Sequence, residues 1–355
     1  MDKRKSPPTS ESSGAIVKRQ RAEDESKALS IGKSSNSLTI TGSQIKRTSG
    51  LQAPIMLLSG HSGEVFTCKF DPTGEFVASG SHDKTILLWN TYGDCINYGL
   101  IRGHAGPIME LHWSRDGSMI YSCSTDKTVS AWDAKSGERV KKFKGHSSFV
   151  NSCCPAPRGP EMIVSGSDDG TIRIWDLRQK EAVKVLDDGY PITATCFSLG
   201  GEMVFSGGVD NIVKAWDLRK DAIAYSLKGH MDTITGLRLS PSGSHLLSNA
   251  MDNTVRIWDV KPFASSSRLL KIFEGAPHGA ERNLIKPAWS PDGERIACGS
   301  GDRTVVVWEV ERQRILYKLP GHKGCVNEVD FHPREPILVS GSTDRNLFLG
   351  EINPN

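Results

Sequence analysis

Short runs of alternating apolar and polar residues follow one another along most of this chain, each about six residues long. VFTCKF, the turn DPTGE, FVASGS and then TILLW are one such series. A period of two broken by Pro/Gly turns predicts short antiparallel β-strands. The series then repeats. Trp89, Trp132, Trp175, Trp216, Trp258 and Trp308 recur at spacings of 43, 43, 41, 42 and 50, each six residues after an aspartate (Asp83, Asp126, Asp169, Asp210, Asp252, Asp302). Six residues after Asp344 stands Gly350, so NLFLGEINPN is a seventh copy with Gly-Glu in place of Trp-Asp. Gly-His pairs open most units, at His61, His104, His146, His230 and His322.

Each unit supplies four short strands, about one sheet, which cannot bury both faces alone; seven sheets packed in a ring would. Gly-His near one end and Trp-Asp near the other, at this period, resemble the WD-repeat family. The resemblance covers residues 51–355 and implies an all-β fold, a seven-bladed β-propeller. Four residues follow Glu351, too few for an outer strand. APIMLL (53–58) is therefore expected to complete blade seven and close the ring.

Ser, His and Asp recur together in four units, a combination that elsewhere serves hydrolysis. The sets are His61, Ser79, Asp83, Trp89; His104, Ser122, Asp126, Trp132; His146, Ser165, Asp169, Trp175; and His230, Ser248, Asp252, Trp258. An active site is seldom built four times, and the family resemblance implies instead a structural chain from indole to hydroxyl to imidazole to carboxylate. Asp188 stands at the His position of the fourth copy, Ala280 near it in the sixth, and Cys298 replaces the sixth hydroxyl. Blades four and six are accordingly expected to be pinned more loosely.

The resemblance also implies where partners bind: the narrow face, at three positions per blade, three and five residues after the His and one before the Asp. Those positions give Glu64, Phe66 and His82; Pro107, Met109 and Thr125; Phe149, Asn151 and Asp168; Thr233, Thr235 and Met251. Copies four and six add Pro191, Thr193, Val209, Asn283 and Ile285, and the seventh adds Cys325, Asn327 and Thr343. No Lys or Arg occurs among them. Phosphate binding through this face is thus disfavoured, and Phe and Met favour a protein partner. The sixth interval carries about eight extra residues (VKPFASSSRLLKIFEGAPHGAERNL), read either as a surface loop for a partner or as a tolerated insertion.

Charge changes the picture only at the start. Residues 1–50 hold ten Lys or Arg and five acids, an excess of five positive charges that leaves the remainder at −2 within a total of +3. Rich in serine and without aromatics, they are read as a disordered arm. Lys3, Arg4 and Lys5, then Lys18, Arg19 and Arg21, form a bipartite nuclear-import pattern. No apolar run has the length of a membrane span and none resembles a leader, so a soluble intracellular protein is expected, its eight cysteines acting as small buried hydrophobes. With no phosphate loop, metal-spaced cluster or implied cofactor, the expectation is no enzyme.

LQAPIMLLSGH, LLWNTYGDC, KGHSSFVNSC, LLSNAMDNTVRIWDV and RILYKLPGH are similar to the spliceosomal branch of the WD-repeat family, found in the U5 small nuclear ribonucleoprotein. That resemblance implies a nuclear protein-interaction scaffold in pre-mRNA splicing, beside the particle's large scaffold protein and only indirectly near snRNA. A second reading rests on Arg178 and Arg219, each closing a Trp-Asp-x-Arg motif. The motif resembles the box by which substrate receptors dock on the adaptor of cullin-RING ubiquitin ligases.

Overall fold

The computed structural model describes residues 47–264 and 267–352, so the basic clusters of the arm lie outside the described residues. Among the described residues, twenty-eight strands form seven four-stranded antiparallel sheets. Blade one shows the plan: Val65–Phe70 lines the central channel, followed outward by Phe76–Ser81, Thr85–Asn90 and Asn97–Arg102. Apolar residues on both faces of each sheet pack against the neighbouring blades. Trp132 lies with Ala78, Ile86 and Leu88 of blade one, and Trp175 with Tyr121, Val129 and Phe143 of blade two.

Blade seven takes its outer strand from the other end of the chain. Ile55–Ser59 pairs antiparallel with Asn346–Glu351, Ile55 opposite Gly350, one or two residues beyond the span read from the sequence. Leu51, Leu58, Leu347 and Leu349 pack with Val65, Val77 and Trp89 of blade one, burying the seam. Glu351 grips the segment just before it: Oε2 accepts from Arg47 Nε at 2.9 Å, and Oε1 from the Thr48 amide and hydroxyl at 2.7 and 2.8 Å. Burial opposes ionisation of Glu351, but these donors outweigh it and hold the carboxyl down to about 2.

The innermost strands present their edges to the channel, and edge groups need partners. Side chains of one blade supply them to the next. Glu328 Oε2 accepts the Cys68 amide at 3.1 Å, Ser152 Oγ the Thr195 amide at 3.0 Å. In the other direction Asn151 donates to Ile192 O at 3.0 Å, Thr235 to Ile285 O at 2.8 Å and Asn327 to Val65 O at 2.7 Å.

A buried ionic network spans the channel. Arg238 of blade five reaches Glu110 of blade two at 3.0 Å and Glu328 of blade seven at 2.7 Å; Lys69 of blade one lies 2.9 Å from Glu328 and 3.0 Å from Asp330. Burial alone would raise the Glu328 carboxyl, but Lys69, Lys286 and Arg238 hold it low.

The long sixth interval is not one surface loop. Phe263 is wholly exposed, whereas Ala276 and Ile285 are buried and the Lys286 ammonium donates to Met109 O on blade two. This inward turn leaves blade six an innermost strand of three residues, Pro287–Trp289.

Candidate partner-binding face

The Gly-His loops and the turns that follow each second strand share one face. In blades one, two, three and five the four side chains of each set meet there. The indole Nε1 donates to the serine Oγ at 2.8 Å in every case. Serine Oγ and histidine Nε2 are 2.7–2.8 Å apart, and histidine Nδ1 and aspartate Oδ2 2.9–3.0 Å apart. An indole only donates and a carboxylate only accepts, so serine donates to Nε2 and Nδ1–H donates to the aspartate. The aspartate also accepts the amide after the histidine (Ser62, Ala105, Ser147, Met231) and its other oxygen caps a threonine amide. Burial opposes ionisation of Asp83, Asp126 and Asp252, but bonds from their histidines and threonines prevail, and all three sit well below the usual carboxylate range. Burial also lowers His146 and His230, which favours their neutral form.

Blade seven carries three-quarters of a set that the sequence reading did not name. His322 meets Asp344 at 3.0 Å and Ser340 at 2.9 Å. Phe348, two residues before Gly350 and so on the same strand face, sets its ring edge-on to His322 with centroids 4.7 Å apart. A Cβ on Gly350 would meet nothing within 4 Å.

Blade four is not simply unpinned. Lys214 fills the gap, pairing with Asp188 and, at 2.7 Å, with Asp210, while Trp216 Nε1 still donates to Ser206 at 2.8 Å. In blade six Trp308 donates to Glu274 O at 3.0 Å, because Cys298 offers no hydroxyl.

The expected contact residues divide. Glu64, His82 and Phe149 are exposed; Phe66, Met109, Asp168, Thr233 and Met251 are half-buried. Asn151 and Asn327, with Thr193, Thr235, Ile285 and Cys325, are buried. The two asparagines serve the neighbouring strand, so they leave the contact surface. Sequence spacing could not distinguish them from Phe66 and Met109, which hold the same place in blades one and two and cannot donate. Tyr190 and Met231, 55% and 85% exposed, join Phe149 and Val209 in an apolar stretch over blades three to five; the spacing rule passed them over.

The face also carries cations. The turn tip one residue after each Asp is Lys84, Lys127, Gly170, Asn211, Asn253, Arg303 and Arg345 in turn, and Arg282 borders a cavity of about 160 Å³ with Phe66 and Met109. The three-position rule does not include the tip. On the far rim Arg178 and Arg219 are exposed, each held by its own chain: Arg178 to Asp176 at 3.0 Å, Arg219 to Glu202 at 2.5 Å.

Seven four-stranded blades, the indole-to-carboxylate chains and a strand-swapped closure define a WD-repeat propeller. The family model "WD domain, G-beta repeat" matches residues 52–90, 95–133, 137–176, 181–217, 222–259, 284–309 and 313–349, and the chain belongs to that family. Within it, the chain is 57% identical over 306 residues, 86% of each chain, to the human U5 small nuclear ribonucleoprotein 40 kDa protein. It is 50% identical to the Dictyostelium discoideum protein of that name over 87% of each chain. Against pre-mRNA-splicing factor cwf17 of Schizosaccharomyces pombe it is 47% identical over 353 residues, 99% of this chain and 100% of the other.

Proposed function

We propose that the protein is a non-enzymatic scaffold of pre-mRNA splicing, a nuclear component of the U5 particle that holds its large scaffold protein. The observation that carries this reading is the similarity to cwf17 along the whole chain, together with that to the human U5 protein. The geometry agrees: the hydrogen-bonded sets spend their histidines and aspartates on pinning loops, and a rigid loop face suits docking. Phe149, Tyr190, Val209 and Met231 supply the apolar anchors a protein interface needs. Lys3, Arg4, Lys5, Lys18, Arg19 and Arg21 carry it into the nucleus.

Purification through a tagged full-length chain, followed by mass spectrometry and RNA sequencing, tests the reading. U5 proteins and U5 snRNA are expected, with the scaffold protein lost on joint Phe149→Ala, Tyr190→Ala and Met231→Ala substitution. Recovery of a cullin-RING adaptor instead, lost on Arg178→Ala with Arg219→Ala, would replace it. The internal ion pairs of both arginines weigh against that second reading.

A further inference from the structure

All seven blades make the same turn after the second strand, and its tip is always in the left-handed region. The tip amide donates to the carbonyl three residues back in each, as Lys84 N to Ser81 O, Lys127 N to Ser124 O and Arg345 N to Ser342 O. Gly170, Asn211 and Asn253 hold the tip in blades three, four and five at φ 78°, 64° and 64°. Glycine and asparagine are the residues this conformation favours. Blades six, seven, one and two, consecutive around the closed ring, instead place Arg303, Arg345, Lys84 and Lys127 there, at φ 72°, 71°, 68° and 68°. A long cationic side chain gains nothing locally from that backbone, so four in a row point to a use for the charge.

The four are exposed, and among the described residues no ion pair occupies them. Arg282 and Lys323, also exposed, extend the same arc, against which stand the exposed carboxylates Glu64, Glu281 and Asp302, the last paired with Lys318 at 2.7 Å. Large exposed apolar side chains of this face lie in the other sector, on Phe149, Tyr190, Val209 and Met231, beside the carboxylates Asp168, Asp187 and Asp232. The face therefore has two halves of different chemistry.

We propose that the arc over blades six, seven, one and two binds the phosphate backbone of single-stranded RNA. Charges spread over separate rigid tips without an apolar anchor suit a polyanion recognised by charge, rather than a protein hot spot. His82 and Phe66, with ring centroids 6.2 Å apart at the inner margin beside Lys84, give bases a surface to stack on. The contact positions themselves hold no Lys or Arg; the cations stand on the tips, which those positions leave out.

The test is binding of a short fluorescein-labelled oligouridylate to the full chain across a salt series. It is compared with the Lys84→Asn, Lys127→Asn, Arg303→Asn and Arg345→Asn chain. Asn211 and Asn253 already hold this turn, so the variant keeps its melting temperature. Affinity falls roughly tenfold or more, and the slope of log affinity against log salt becomes shallower by about 3. The same comparison with Lys3, Arg4, Lys5, Lys18, Arg19 and Arg21 changed to Ala in both chains cuts the arm's share and leaves that difference standing. Unchanged affinity and slope would place all binding on the arm and overturn the proposal. Tighter binding of polyglutamate than of RNA at equal charge would also overturn it, in favour of an acidic protein segment.

Discussion

Blades two and seven use the same His, Ser and Asp and differ in the ring beside them. In blade two Trp132 donates to Ser122 and packs into blade one. Blade seven keeps His322 at the same 3.0 Å from Asp344 and at 2.9 Å rather than 2.8 Å from Ser340, but its aromatic is Phe348, which cannot donate. The imidazole–carboxylate half of the chain thus holds its geometry without the indole, since serine still donates to Nε2. What blade seven lacks in that ring is offset by the join: an outer strand from residues 55–59 and a carboxylate, Glu351, free to clamp Arg47 and Thr48.

The sharpest way to break the comparison is to remove the join. Deleting residues 51–58 exposes the edge of blade seven and the seam with blade one, and is expected to abolish cooperative thermal unfolding followed by circular dichroism. Deleting residues 1–46 leaves the melt where it was, because Arg47 and Thr48 remain. Equal melting of the two truncations would mean that the join does not close the ring. Next in size, Trp132→Ala should cost about 3–5 kcal/mol in urea unfolding and Phe348→Ala about 2 kcal/mol, the indole being fully buried and the phenyl only partly. Equal losses would make Phe348 a full substitute.

Blade four extends the comparison, since there the imidazole itself is gone. Lys214→Met leaves Asp188 and Asp210 without their cation and should cost about 3 kcal/mol, measured the same way. A loss below about 0.5 kcal/mol would show that Trp216 and Ser206 suffice alone.

Acid should act on the regular blades with a definite sign. Burial lowers His146, His230 and His322, and the bonds around Asp83, Asp126 and Asp252 outweigh burial and lower those carboxyls. For each group the unfolded chain binds more protons, so stability falls with pH, first below about 6.5 and again below about 4. Asp188 has the opposite sign, because burial raises it despite Lys214. Melting temperature against pH should therefore fall more steeply in Asp188→Asn than in the parent chain as the pH falls toward the ordinary Asp value of about 4. The smallest effect is expected of Glu351→Gln, about 1 kcal/mol, as one clamp at the join is weakened while the strand pairing stays.

Much of this was legible in the residues. The Asp-to-Trp register marks each third strand and shows NLFLGE as a seventh copy, because strand count and turn chemistry are local properties that a period displays. The apparent gaps were harder to read. Asp188 looks like a missing histidine until Lys214, twenty-six residues on, is seen beside it. Phe348 looks like an ordinary strand residue until its ring is found against His322.

By itself the sequence determined the ring: seven repeats of a unit that cannot bury its own faces. Only the tertiary structure decided the surface. Asn151 and Asn327 turn inward because the next blade's strand edge offers them carbonyls, Lys286 reaches Met109, 177 residues away, and Ile285 packs into the core between blades five and six. Lys84, Lys127, Arg303 and Arg345 stand apart along the chain, and ring closure makes them neighbours. Spacing records which residues share a role within a blade. Which of them share a surface depends on side chains that meet only when the first strand closes on the last.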